Sequence, residues 1–138
     1  MAFTELTANV GIAPTTAGTT YLLDLGVVPE AESDQAWSVV KLSLTAPTTM
    51  AGSASVSETF VFGYSRAGGA VVPIGQFQTL VTVAAGTTGP LTAEVETPVT
   101  ILAAGLSLQA GDVLTLSITP TSSGTAVPAG TVAKVELQ

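Results

Sequence analysis

The segment Gly63-Tyr64-Ser65-Arg66-Ala67 has the outline of a nucleophile elbow, in which a serine sits on a strained turn between a strand and a helix. Here Gly68-Gly69 follow in place of a helix, and the chain contains no histidine to accept the Ser65 proton. An ordinary strand end explains the segment better than catalysis does. Glu30, Glu32 and Asp34 offer hard oxygen ligands of the kind Ca²⁺ takes from a flexible loop, but their spacing does not match an EF-hand loop. A solvated acidic loop, or one facing a basic patch on a partner, is the simpler reading. Glu94 and Glu96 would share one face of a strand, with no third group to make them an acid and base pair, so a solvent-exposed edge is expected there. Trp37, the sole tryptophan, could stack on a sugar ring if exposed, yet with no aromatic neighbour in sequence it reads as buried or subunit-facing. Arg66 fits either an interface anchor or a plain turn residue.

No catalytic, metal-binding or cofactor-binding residue is assigned, and composition supports that restraint. With neither cysteine nor histidine, the chain lacks thiolate chemistry, disulfides, the usual base near neutral pH and the commonest transition-metal ligand. Ten acids face three bases, Lys41, Arg66 and Lys134, for a net charge of −7. Three scattered cations cannot displace the counterions of a nucleic acid, and an anionic membrane surface is disfavoured for the same reason. Charged residues make up only 9% of the chain, against about a quarter in ordinary soluble domains. A monomer of this size exposes roughly 6,600 Å². That surface must be covered by small polar residues or by neighbouring subunits. The 22 threonines suit the outer face of strands, being β-branched and tolerant of water. MAFTELTANV carries neither a basic nor an apolar signal region, and no run of 18 apolar residues occurs, so neither a signal peptide nor a membrane helix is expected.

The 138 residues read as a single domain built from about eight or nine short strands, with turn signals every eight to twelve residues. The first strand, Phe3 to Ile12, sets Leu6, Ala8, Val10 and Ile12 against Glu5, Thr7 and Asn9. The second, Thr19 to Leu25, sets Tyr21, Leu23 and Leu25 against Leu22 and Asp24; a polar loop from Gly26 to Gln35 follows. Trp37 to Ala46 places Val40, Leu42 and Leu44 inward with Lys41 and Ser43 outward. Val56, Phe60, Phe62 and Tyr64 line one face of the next strand. Arg66 to Gly69 is a tight turn, Val71 to Ile74 a short edge strand marked by Pro73, and Gln76 to Ala84 a further strand. Gly86 to Pro90 turns the chain, and Leu91 to Leu102 holds one or two short strands around Pro98. Gln109 to Asp112 turns into Val113 to Thr119, with Leu114, Leu116 and Ile118 inward. After a loop from Thr121 to Gly130, Thr131 to Leu137 closes the chain with Ala133, Val135 and Leu137 inward and Lys134 and Glu136 outward. The expectation is an all-β antiparallel sandwich with jelly-roll or Greek-key connections.

The Thr/Ala/Gly/Val-rich strands and the ending LQAGDVLTLSITP followed by GTVAKVEL resemble virion structural proteins of tailed bacteriophages, the small capsid decoration, or cement, proteins above all. The resemblance implies a place on the capsid exterior, a major capsid protein as partner, a homotrimer and no catalytic residue. Residues 1–20 and the loop Gly26 to Gln35 are then the expected contact segments. The competing expectation is a receptor- or carbohydrate-binding domain of a phage fibre or adhesin, which would need Trp37 with Tyr21 or Tyr64 as an exposed platform. A carboxylate-only glycosidase and a tail-tube or head–tail connector subunit are further rivals.

Overall fold

The computed structural model describes residues 4–10, 16–31, 36–51, 57–102, 106–121 and 127–138. Phe3, Ile12, Glu32, Asp34 and Val56, which the sequence pattern used, lie outside the described residues. Among the described residues nine strands follow in chain order: β1 (Thr4–Val10), β2 (Tyr21–Val27), β3 (Trp37–Thr45), β4 (Glu58–Ser65), β5 (Val72–Gln78), β6 (Thr97–Val99), β7 (Ser107–Leu108), β8 (Val113–Pro120) and β9 (Thr131–Leu137). They form two antiparallel sheets packed as a sandwich. Sheet 1 has the order β1-β9-β3-β6, with β7 also pairing β3, and sheet 2 has the order β2-β8-β4-β5.

Alternation decides which side chains enter the space between the sheets, because successive residues of a strand point to opposite faces. In sheet 1, Leu6, Val135, Leu42 and Val99 stand in one row across four strands. In sheet 2 the matching rows are Tyr21, Ile118, Phe60 and Phe77, then Leu23, Leu116, Phe62 and Gly75. Phe60, Phe62, Phe77, Leu114, Leu116, Ile118, Val135 and Leu137 are fully buried. Burial of each large apolar side chain contributes about 2 kcal/mol, which makes these rows the main source of stability.

At one side the two sheets meet. Gly75 of β5 bridges Ile101, and the Leu102 amide donates to the Ile74 carbonyl at 2.8 Å. A Cβ on Gly75 would lie 2.4 Å from Leu42 Cδ1, so only glycine allows this approach. On the other side β1 and β2 are edge strands, and β2 carries a bulge between Asp24 and Gly26 that bends the edge away from regular pairing.

Five sequence expectations need correction. Ser43 was expected at an outward, solvated position but is 1% exposed, and its hydroxyl has no hydrogen-bond partner. Val40 was expected inward but is 43% exposed, because a bulge between Val39 and Lys41 shifts the alternation by one residue. Val39 and Leu42 therefore both face the core while Val40 and Lys41 face out. The two strands expected at Val71 to Ile74 and Gln76 to Ala84 are one strand, β5, followed by turns. Pro73 lies within it, and β5 is an edge strand of sheet 2, as Pro73 led the sequence reading to expect. The second strand continues through Gly26 to Val27, so the polar loop starts later than expected. Glu94 and Glu96 do not share a strand: Glu94 lies in a turn with φ of 59° and β6 starts only at Thr97.

Candidate functional site

Ser65 ends β4 opposite Val113, and the chain turns directly at Arg66 to Gly69, where the Gly69 amide donates to the Arg66 carbonyl at 2.9 Å. Ala67 and Gly68 both have positive φ there, which gives the tight hairpin turn that Gly68-Gly69 signalled, with no helix behind the serine. Glu30 is exposed, and among the described residues no group of three or more His, Cys, Asp or Glu could hold a metal ion. Trp37 is 5% exposed and donates its indole N–H to the Pro29 carbonyl at 2.9 Å. It is a core residue with a satisfied polar handle, and it offers no platform for stacking.

The three basic side chains all form ion pairs within the chain. Arg66 donates from Nε and Nη2 to the two carboxylate oxygens of Asp112, at 2.9 and 2.8 Å, and its guanidinium lies 5.5 Å from the centre of the Tyr64 ring. The Asp112 side chain is nearly buried, and its Oδ2 also accepts from the Gln109 amide at 2.8 Å. Hydrogen bonding from Arg66, opposed by burial, holds the Asp112 carboxyl below its usual range. On sheet 1, Glu96 takes Lys134 at 2.8 Å on one oxygen and Lys41 on the other, and Lys134 reaches Glu136 at 3.0 Å. Hydrogen bonds from Lys134 and Lys41 bring the Glu96 carboxyl down to about 2.

The register gives the two outer faces opposite characters. Sheet 1 shows the rows Glu5, Glu136, Lys41 and Thr7, Lys134, Ser43, Pro98; Ser43 is buried, and most of the other positions belong to the ionic network or border it. Sheet 2 shows Leu22, Ser117, Val61, Gln76 in one row and Asp24, Thr115, Gly63, Pro73 in the next, where Thr115 and Gly63 are buried. Beyond these, Thr20 and Thr119 join hydroxyls at 2.9 Å beside Thr59 and Gln78. Asp24 is the single charge among these residues. Leu22 is 58% exposed. A face of hydroxyls, amides and aliphatic side chains costs little to desolvate, whereas burying the sheet 1 face would strip water from several charges.

Two buried acids were missed from sequence. Asp112 was read only as part of a turn. Glu58, the first residue of β4, is 0% exposed, and neither of its carboxyl oxygens has a hydrogen-bond partner. Burial alone pushes its pKa up to about 7. Its signal was present in the spacing, since Glu58 stands in phase with Phe60 and Phe62 on the inward face of the strand.

The fold and these surfaces define an all-β protein of two packed antiparallel sheets with its basic side chains turned to internal pairing. Comparison with family models, with curated proteins and with solved structures finds no match for this chain.

Proposed function

We propose that this chain is a non-catalytic structural protein of the capsid decoration type, packing on the exterior of a bacteriophage capsid against major capsid protein subunits and forming a homotrimer. The observation that carries the reading is the outer face of sheet 2, an uncharged Thr, Ser, Gln, Val and Leu surface with Asp24 at its rim, on a chain whose three cations are already paired. The chain has only thirteen charged side chains for 6762 Å² of surface, and Glu58 and Asp112 among them are buried, so much of the exterior is free of charge and suits contact with other chains. The connections support the jelly-roll form of the sandwich: the orders β1-β9-β3-β6 and β2-β8-β4-β5 follow from two nested Greek keys, an architecture shared by viral shell domains and lectins.

Light scattering at micromolar concentration is expected to return three times the 13.7 kDa chain mass. Purified protein is expected to co-sediment with empty shells of the capsid protein. Leu22→Lys, placed on an exposed position of the neutral face, is expected to abolish co-sedimentation while the circular dichroism of the fold is unchanged. A monomer that ignores the shells would overturn the proposal, and glycan binding by that monomer would replace it with the receptor-binding reading.

A further inference from the structure

Glu58 is a carboxylic acid in a place where the surrounding strands position only core residues. It opens β4 opposite Pro120, with Phe60 and Phe62 following on the same inward face. Its backbone is held on the other side by Thr79: the Glu58 amide donates to Thr79 Oγ1 at 2.9 Å, and the Thr79 amide donates to the Glu58 carbonyl at 3.0 Å. Next to it, Ser57 and Thr121 are tied by four contacts, among them Ser57 amide to Thr121 Oγ1 at 2.9 Å and Thr121 amide to Ser57 carbonyl at 2.9 Å. Gln78 Nε2 adds a bond to Ser57 Oγ at 3.0 Å. The hydroxyls and amides beside Glu58 are thus engaged with one another and with backbone, and its carboxyl oxygens receive none of them.

Among the described residues no cation reaches this end of the sandwich. The strand ends at this end contribute Gln78 and Thr79 from β5, Pro120 and Thr121 from β8, Val10 from β1, Tyr21 with its phenol from β2, Thr131 from β9 and Ala46 after β3, and none of them is a cation. The charged residue tied to the same end is Glu94, whose amide donates to the Ala46 carbonyl and whose side chain is exposed. The adjoining sequence segments 11–15, 52–56 and 122–126 contain no charged residue. Lys41 and Lys134 are held by Glu96, and Arg66 is bound to Asp112 at the far end of β8. An ionised Glu58 would therefore sit without water and without a counter-charge, a state that strongly favours exposing it.

We propose that Glu58 is a proton-controlled latch: protonated, it closes this end of the sandwich as a neutral core side chain, and on releasing its proton to solvent it opens the contacts that join Ser57 and Glu58 to Thr79 and Thr121. The raised proton affinity that burial gives it puts the change near neutral pH. The opening is local, since the Phe rows beyond Glu58 are closed by both sheets.

Backbone hydrogen exchange of the whole chain, corrected for the chemical rate at each pH, tests this. Between pH 5 and pH 8.5 the protection of the Glu58, Thr79 and Thr121 amides is expected to fall roughly fifty-fold, through an opening insensitive to low urea, and Glu58→Gln or Glu58→Met is expected to remove the fall. Exchange at these amides that follows global unfolding with its full urea dependence, or an undiminished fall in a folded variant, would overturn the latch. Should both variants fail to fold, the carboxyl carbon of Glu58 in the natural chain supplies the readout. A midpoint near neutral pH supports the proposal, and one in the ordinary carboxylate range overturns it.

Discussion

β4 and β8 lie side by side along sheet 2, and a buried acid stands at each end of the pair. At one end Asp112 receives three hydrogen bonds, two from Arg66 and one from the Gln109 amide, and holds its negative charge. At the other end Glu58 receives none and holds its proton. Exposure does not separate them, since both are 1% exposed or less. What separates them is the supply of donors. The turn at Arg66 to Gly69 brings a guanidinium across to Asp112, while the strand ends around Glu58 bring hydroxyls already committed to backbone and to each other. The lesson is that burial fixes the cost of a charge, and the neighbours decide whether that cost is met. The Asp112 end is consequently a rigid joint: its carbonyl also accepts from the Val28 amide, tying β2 to β8.

The largest test of this contrast is the pH dependence of stability. Glu58 binds its proton more tightly folded than unfolded, so its neutral form is compatible with the native state at no cost below pH 4.5. From there stability falls as pH rises toward about 7, and it levels off above. The total fall attributable to this group is about 3 kcal/mol, read from urea midpoints across that range. Glu58→Gln is expected to flatten the profile. A natural chain whose stability is constant from pH 4.5 to 8 would show that Glu58 is either solvated or paired, and the contrast with Asp112 would disappear. Asp112 has the opposite sign. Its lowered pKa adds stability that is fully present above its ordinary value of 3.8 and is lost as pH falls below it, so the two acids together place the stability maximum between them.

Asp112→Ala comes next in size. It removes the acceptor for Arg66 and leaves the Gln109 amide without its partner, for an expected loss of about 2 kcal/mol at neutral pH. Arg66→Ala is expected to destabilise in the same direction, and the double variant to lose less than the two single losses added together, because one interaction is being removed twice. Strict additivity in that cycle would mean that Asp112 acts only through the backbone of its turn.

The alternation of apolar residues made most of the strands readable, β8 and β9 above all: Leu114, Leu116 and Ile118, then Ala133, Val135 and Leu137, lie inward as the spacing demands. The outward placement of Lys134 and Glu136 was readable for the same reason. Val40 was not, because the bulge at Val39 and Lys41 is set by the register of β3 against β9, nearly a hundred residues further along the chain. Pro73 was legible as the mark of an edge strand, which β5 is; the break expected between Ile74 and Gln76 is absent because β5 pairs with β4 on both sides of Gly75. The ion pairs were also beyond a linear reading. Lys41 and Glu96 are 55 residues apart and meet only because β6 borders β3. Glu58 is the contrary case: its phase with Phe60 was legible, and a carboxyl at an inward position is a stronger signal than the acidic loop of Glu30, Glu32 and Asp34.

The exposed face of sheet 1 supplies a third carboxylate, and it sets the lower end of the scale. Glu96 has two lysine partners, yet its side chain is 36% exposed and that of Lys41 is 37% exposed. Water already solvates these groups in the unfolded chain and continues to do so in part after folding, so two contacts here are worth less than one at Asp112. Glu96→Gln is expected to cost about 0.5 kcal/mol in low salt and less at 1 M salt, where the Debye length is about 3 Å. The downward shift of its pKa to about 2 has the matching sign, a small contribution present above pH 4.5 and lost toward pH 2. Urea midpoints of the natural chain and the variant, measured at both salt concentrations, give the difference directly. A loss as large as that of Asp112→Ala and unmoved by salt would mean that the Lys41, Glu96, Lys134 network packs as part of the core, and that sheet 1 is as poorly hydrated on its outer face as on its inner one.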